Sequence, residues 1–165
     1  MKVIISDTSP LILLTKVGLL NLIAERFSLV ISKDVALEAT CRQDLPDAQS
    51  IQVLIDKKKI SVKVISESKT LGLKNQWGIG RGEASVLALA LKENRVLVTD
   101  DFSAMRVARA LNISFVTSVL LIVQLQHKGI LSFQVADEKL MALQEYAWLS
   151  SEVVADARQR LKGGK

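Results

Sequence analysis

Cysteine, histidine and aromatic side chains are nearly missing from this chain, and each shortage removes a class of protein. A single cysteine, Cys41, cannot form an intramolecular disulfide, which excludes a secreted disulfide scaffold. A single histidine, His127, can supply neither a His-rich metal centre nor a Cys2His2 finger. Aromatics make up only 4% of the residues, so any core has to be aliphatic. No uncharged apolar run approaches the ~20 residues of a membrane span. The N-terminal apolar run has one basic residue, Lys2, before it and stops at Ser6 and Asp7, short of the h-region of a signal peptide. These absences lead to the expectation of a cytoplasmic protein with no membrane partner.

What is present fits one folded domain. The 165 residues are 49% hydrophobic, enough Leu, Val, Ile and Ala to bury a core and too much for a disordered chain. A mean hydropathy of +0.28 leaves apolar surface to spare and leads to the expectation of a homodimer, with Val119 to Gln126 and the tail near Trp148 as the surfaces to pair. The 22 Lys and Arg outnumber 17 Asp and Glu, giving a net charge of +5, which makes a polyanion such as nucleic acid a plausible partner.

Strand and helix patterns alternate along the chain. Lys2 to Ser6 reads as a strand, and Ser9-Pro10 as the cap and first turn of a helix bent at Gly18 and ending near Phe27. Leu29 to Ile31 reads as a second strand, with Ser32 capping a helix through Val35, Leu37 and Glu38. A helix from Asp47 to Lys57 and a strand from Ser61 to Ile65 follow, then a glycine-containing loop or short helix from Ser66 to Gly82. Glu83 opens a helix to Glu93, Arg95 to Thr99 is a buried strand, Phe102 to Leu111 a helix with Arg106 and Arg109 outward, and Ser114 to Thr117 a fifth strand. Helices from Val119 to Lys128, Ser132 to Tyr146 and Ser150 to Leu161 precede a frayed Lys-Gly-Gly-Lys end. Such alternation points to a parallel sheet covered on both faces.

The acids fall where such a sheet binds ligands. Asp7 follows the first strand, Asp100 and Asp101 follow the fourth, and Glu83 opens the helix before it. An acid at a helix N-terminus also has the ordinary role of complementing the helix dipole, so Glu83 alone decides nothing. Asp7 interrupts an apolar strand with no Lys or Arg beside it in sequence. Two carboxylates about 4 Å apart repel by roughly 4 kcal/mol at an effective dielectric near 20, so a converging set needs a counterion or protons. Oxygen-only ligation suits Mg²⁺ or Mn²⁺, which activate water and stabilise the leaving oxygen of a phosphodiester. The reaction class that follows is metal-assisted phosphoester hydrolysis, with Asp7, Glu83, Asp101 and Asp100 as candidate ligands. Successive residues of an extended chain point to opposite sides, so the adjacent Asp100 and Asp101 cannot both face one metal from a regular strand.

These residues carry a resemblance. Asp7-Thr8-Ser9-Pro10-Leu11-Ile12, Gly82-Glu83-Ala84 with Leu87-Ala88-Leu89-Ala90, Thr99-Asp100-Asp101 and Val116-Thr117 resemble, in order and spacing, the PIN-domain family in its DUF3368-type branch, related to VapC toxins. The likeness runs from Met1 to about Gly129, and Trp148-Leu149-Ser150 with the following helix is similar to that branch's tail. It implies a three-layer α/β/α fold with a five-stranded parallel sheet, in one domain over residues 1–165 with a core to about 129 and a helical extension over 130–165. It further implies a Mg²⁺- or Mn²⁺-dependent endoribonuclease, the toxin of a prokaryotic toxin-antitoxin pair held by a small antitoxin protein. Asp7, Glu38, Glu83 and Asp101 match its catalytic acids, Asp101 through the family's Thr-x-Asp pattern with Asp100 as neighbour, expected to cap the following helix or act through water, and Thr8 and Thr117 match polar positions lining such sites. Many members carry aspartate where Glu83 stands.

Other residues have plainer readings. Lys57, Lys58, Lys59, Lys63, Lys69 and Lys74 read as a solvated helix end and loop. Arg81, with its planar fork beside Glu83, is a candidate phosphate contact or a screen for that acid. Gly78, Gly80 and Gly82 follow no apolar strand and lack the Lys-Ser/Thr of a nucleotide P-loop. Two rival readings remain in view. A noncatalytic nucleic-acid-binding module would keep the fold and lose turnover, against which the presence of all four acid positions argues. A receiver-type phosphoacceptor domain would need a lysine ending the last strand, where Thr117 stands.

Overall fold

The computed structural model describes residues 2–163. The chain divides into two compact units, the first running to Val116 and the second starting at Thr117. The expected frayed end lies partly outside the described residues, because only Lys162 and Gly163 of it are described.

The first unit holds five strands, β1 (Val3–Ser6), β2 (Ser28–Ser32), β3 (Ile60–Lys63), β4 (Val96–Val98) and β5 (Phe115–Val116). All pair in parallel, in the order β3-β2-β1-β4-β5. Ile4, Ile5, Leu29, Val30, Ile31, Leu97 and Val98 are all buried, the unbroken apolar run expected of strands covered on both faces. The connecting helices are α1 (Thr8–Lys16), α2 (Leu20–Arg26), α3 (Lys33–Thr40), α4 (Pro46–Asp56), α5 (Glu67–Trp77), α6 (Arg81–Glu93) and α7 (Phe102–Ala110). Parallel strands with helical crossovers give a three-layer α/β/α arrangement, as the sequence leads one to expect.

The strand order positions the site. From β1 the chain steps outward to β2 and β3, then returns to β4 on the other side of β1 and steps on to β5. Adjacent strands β1 and β4 therefore send their chains in opposite directions, which opens a crevice beyond their carboxyl ends. Their register, Ser6 opposite Val98, sets Asp7 beside Thr99 at the lip of that crevice. Helix α6, with Ala84, Val86, Leu87, Ala88, Leu89 and Ala90 all buried, packs on β1, β2 and β4 and also touches α3. That contact brings the start of α6 next to the helix that carries Glu38.

Several local expectations need correction. The first helix is capped by Asp7, not Ser9. Asp7 has extended backbone angles and its side chain accepts the Thr8 N–H, so Ser9 and Pro10 lie inside the first turn, where a missing N–H costs nothing. Glycine at position 18, with φ of +73°, ends α1, and α2 leaves at 114° to it. The stretch from Ser66 to Gly82, expected to be a loop or short helix, contains the 11-residue α5, which buries only Thr70 and so shows no apolar stripe. Helix α6 begins at Arg81, two residues before Glu83.

The second unit consists of α8 (Ser118–His127), α9 (Phe133–Ala147) and α10 (Ser151–Gly163), which pack on one another. Thr117 caps α8, its hydroxyl accepting the Leu120 N–H at 3.2 Å. Of the expected pairing surface Val119 to Gln126, Val119, Leu121, Ile122, Val123 and Leu125 are buried, which leaves Leu120 as its exposed apolar side chain. Trp148, by contrast, is 99% exposed at the left-handed end of α9. Among the described residues no single helix is long and apolar enough to cross a membrane.

Candidate active site

Four acids from four different segments face the crevice. Asp7 is the deepest, only 4% exposed at the end of β1. Its Oδ1 accepts the Thr8 N–H at 2.8 Å and its Oδ2 accepts the Thr99 hydroxyl at 3.0 Å. Burial outweighs these bonds and, with the negative charges of Glu83 and Glu38 nearby, pushes the carboxyl up to about 6 from the ordinary 3.8. Glu83 stands at the third position of α6, where its Oε2 accepts the Gly80 N–H at 3.2 Å. Its pKa is also raised, first by burial and then by Asp101, with Glu38 contributing. Two carboxyls raised by burial and by neighbouring acids mark a cluster that favours positive charge.

Glu38 reaches the cluster from α3. Its Oε2 accepts the Thr8 hydroxyl at 3.0 Å, so Thr8 acts here as a clamp on Glu38. The same oxygen lies where a Cβ on residue 82 would come, at 2.6 Å, which explains glycine at that position. A buried hydroxyl chain ties the two helices together behind the acids. Ser85 Oγ donates to the Gly82 carbonyl at 2.7 Å, which uses its only proton. Ser32 Oγ, 2.6 Å away, must then donate to Ser85 while accepting the Val35 N–H at 3.1 Å. The start of α3 is thereby fixed to the start of α6. Gly82→Ala is expected to leave thermal stability nearly unchanged, because the obstructing atom ends a flexible side chain. It should lower any turnover by roughly 10- to 100-fold by displacing Glu38. Melting and rate measurements on the one variant check both halves.

The aspartate pair after β4 departs from expectation. Asp101, not Asp100, caps α7, its Oδ1 accepting the Ala104 N–H at 2.7 Å. Its own N–H donates to Thr99 Oγ1 at 3.2 Å. Strand β4 ends at Val98, so the two aspartates do not sit on a regular strand and need not point to opposite sides. A carboxylate has about four acceptor positions, and a cap uses one, so Asp101 can cap and still present an oxygen to the crevice. Asp101→Ala should lower stability by about 1 kcal/mol through the lost cap, and Asp101→Asn, which keeps a capping oxygen, should not. Chemical denaturation of both variants distinguishes these outcomes.

Thr99 is the residue that sequence reasoning passed over. Its hydroxyl donates to Asp7 and accepts from the Asp101 backbone, joining the two strands' acids through one side chain. The Thr-x-Asp spacing contained that signal, but was read only for the aspartate. Arg81 lies at the start of α6, where its guanidinium pairs with Asp34 at 2.6 Å and with both Glu67 oxygens at 2.7 and 3.1 Å. Those two carboxylates hold its pKa high and bind α3, α5 and α6 together.

The donor set fits a divalent cation. Asp7, Glu83 and Asp101 offer only oxygen, and the first two carry raised pKa values that a cation would reverse. Among the described residues no three acidic, histidine or cysteine side chains are drawn into a ready cage.

Comparison with known proteins places this arrangement. None of the curated proteins matches the chain. The family model for DUF3368, described as a PIN domain, matches residues 3–163. PIN domains are in general nucleases that use divalent metal ions. With a five-stranded parallel sheet, acids at the ends of β1 and β4, and a family match over nearly its whole length, the chain belongs to the PIN-domain family.

Proposed function

We propose that this PIN domain is a Mg²⁺- or Mn²⁺-dependent endoribonuclease. The observation that carries the reading is the buried Asp7 carboxyl, pushed up to about 6 and facing Glu83 and Glu38 across the crevice. An uncompensated cluster of this kind costs folding stability, and such sites are kept where they serve chemistry. Asp7, Glu83 and Asp101 would hold the ion, with Asp100 beside them. The ion supplies activation of a water nucleophile and neutralises charge on the phosphodiester.

The chain's own residues do the rest. Thr99 holds Asp7 and the Asp101 backbone in register, so that the acids of two strands act as one group. Glu38, oriented by Thr8, would orient the attacking water and take its proton. Glu83 is fixed by the Gly80 N–H. Single-stranded RNA incubated with the purified chain should be cut in Mg²⁺ or Mn²⁺ and remain intact in EDTA. Cutting at full rate in EDTA would exclude the mechanism.

The biological setting we propose is the toxin of a VapC-like pair, working in the cytoplasm as a homodimer, with a small antitoxin protein occupying the acidic crevice. Trp148 is the side chain best placed for self-association, being large, apolar and fully exposed. Light scattering should give twice 18.1 kDa, and Trp148→Ala should shift the population to monomer.

A further inference from the structure

Helix α7 begins at the crevice and carries an exposed stripe that its folding does not explain. Phe102, the residue after Asp101, is 72% exposed at the first helical position, where an aromatic ring contributes nothing to the core. Ala104, Val107 and Ala108 form the buried face. On the opposite side, Phe102, Arg106 and Arg109 fall at i, i+4 and i+7 and are all exposed, a single line about 10 Å long at 1.5 Å per residue. Among the described residues Arg106 makes no ion pair, in contrast to Arg81, whose guanidinium pairs with Asp34 and Glu67. Arg109 is steadied over the Phe115 ring at 5.0 Å from its centroid, which leaves its charge facing solvent.

We propose that this stripe is the track for a single strand, with Phe102 stacking the unpaired base next to the bond being cut and Arg106 and Arg109 holding flanking phosphates. The proposal rests on the nuclease reading and deepens it by assigning the residues that position the strand. Three observations agree. A crevice lined by carboxylates repels a polyanion, so the strand must be held by cations beside the acids. Helix α7 supplies two such cations, in line with the acid that caps it. The flat ring between acid and cations suits an unpaired base, whereas bases stacked in a duplex could not reach it. Phe102 and the two arginines are positioning residues, since none is placed to touch the reacting atoms.

The test is binding in EDTA, so that cleavage plays no part, read by fluorescence anisotropy with a labelled single-stranded RNA of about ten nucleotides. Phe102→Ala should weaken binding about 10-fold, the usual size of one lost base-aromatic stack, and Phe102→Trp should restore it. A strand lacking its bases should bind the wild-type chain about as weakly as the intact strand binds Phe102→Ala, and duplex RNA should be indifferent to the substitution. Arg106→Ala should lower the slope of log affinity against log salt by about 0.7, the single-strand value for one phosphate contact. Arg26→Ala, which removes the same charge from the far end of α2, should not. The ring is exposed, so Phe102→Ala should fold normally. Unchanged binding in Phe102→Ala, equal binding of strands with and without bases, or no single-strand binding by the wild-type chain would each overturn the stripe. Binding as expected, joined to no cleavage in any divalent metal, would instead overturn the nuclease reading and leave the stripe standing.

Discussion

Asp7→Asn is expected to lower RNA cleavage by at least ~100-fold while making the metal-free protein more stable at pH 8. Both effects come from one carboxyl group. Asp7 is buried, and its two oxygens are engaged by the Thr8 N–H and the Thr99 hydroxyl, yet those bonds do not offset the loss of water. Asparagine keeps an oxygen for the Thr8 N–H and removes the charge that burial, Glu83 and Glu38 all oppose. The Thr99 hydroxyl loses an acceptor and gains a donor, a small loss beside relief of the buried charge. The gain in stability at pH 8 should be about 1–3 kcal/mol. A side chain held only for structure would lose stability on the same substitution. Thermal melts and cleavage rates of the two proteins, measured side by side, separate the two accounts.

The second large effect is a pH dependence opposite to that of most acidic side chains. A carboxyl at about 6 in the folded chain and 3.8 in the unfolded chain binds its proton more tightly when folded. Its contribution to stability is therefore complete below about pH 4 and is lost as pH rises through about 6. Two units of difference correspond to about 3 kcal/mol. Glu83, raised as well, acts in the same direction. Glu25, Asp44 and Glu67 have lowered values and act the opposite way, but these are exposed pairs whose effects lie below pH 4.5, outside this window. Between pH 5 and about pH 7.5 the metal-free protein should thus lose roughly half of the Asp7 contribution, the rest being lost already between about pH 4 and pH 5, and Mn²⁺ should restore it at the upper end while doing little at pH 5. Denaturant titrations at the two pH values, with and without Mn²⁺, give the four numbers needed. A metal-free protein more stable at the higher pH would mean that burial and the neighbouring acids do not raise Asp7.

The sheet and the acids at its edge were legible in the sequence because parallel strands buried on both faces read as continuous apolar runs, and Asp7 breaks one of them. The pairing of Glu38 with Thr8 and Gly82 was not, since it depends on α3 touching α6 across the carboxyl end of the sheet, a contact between segments far apart in the chain. Helix α5 escaped because it is almost entirely exposed and held by Arg81 through Glu67, and an ion pair leaves no periodic trace. The cap of α7 fell to Asp101 and not Asp100 for a local reason, the early end of β4. Phe102 was read only as a helix start. Nothing in a one-dimensional pattern distinguishes an aromatic ring turned inward at a first turn from one left in solvent beside an acid.

The central claim, that Asp7, Glu83 and Asp101 form one divalent-metal site, is tested most directly by anomalous scattering from a crystal of the protein soaked in Mn²⁺ at pH 8. The expected result is a manganese peak within the crevice, bounded by those three carboxylates and missing in Asp7→Asn. Manganese bound only elsewhere on the protein, or a crevice peak that persists unchanged in Asp7→Asn, would contradict it.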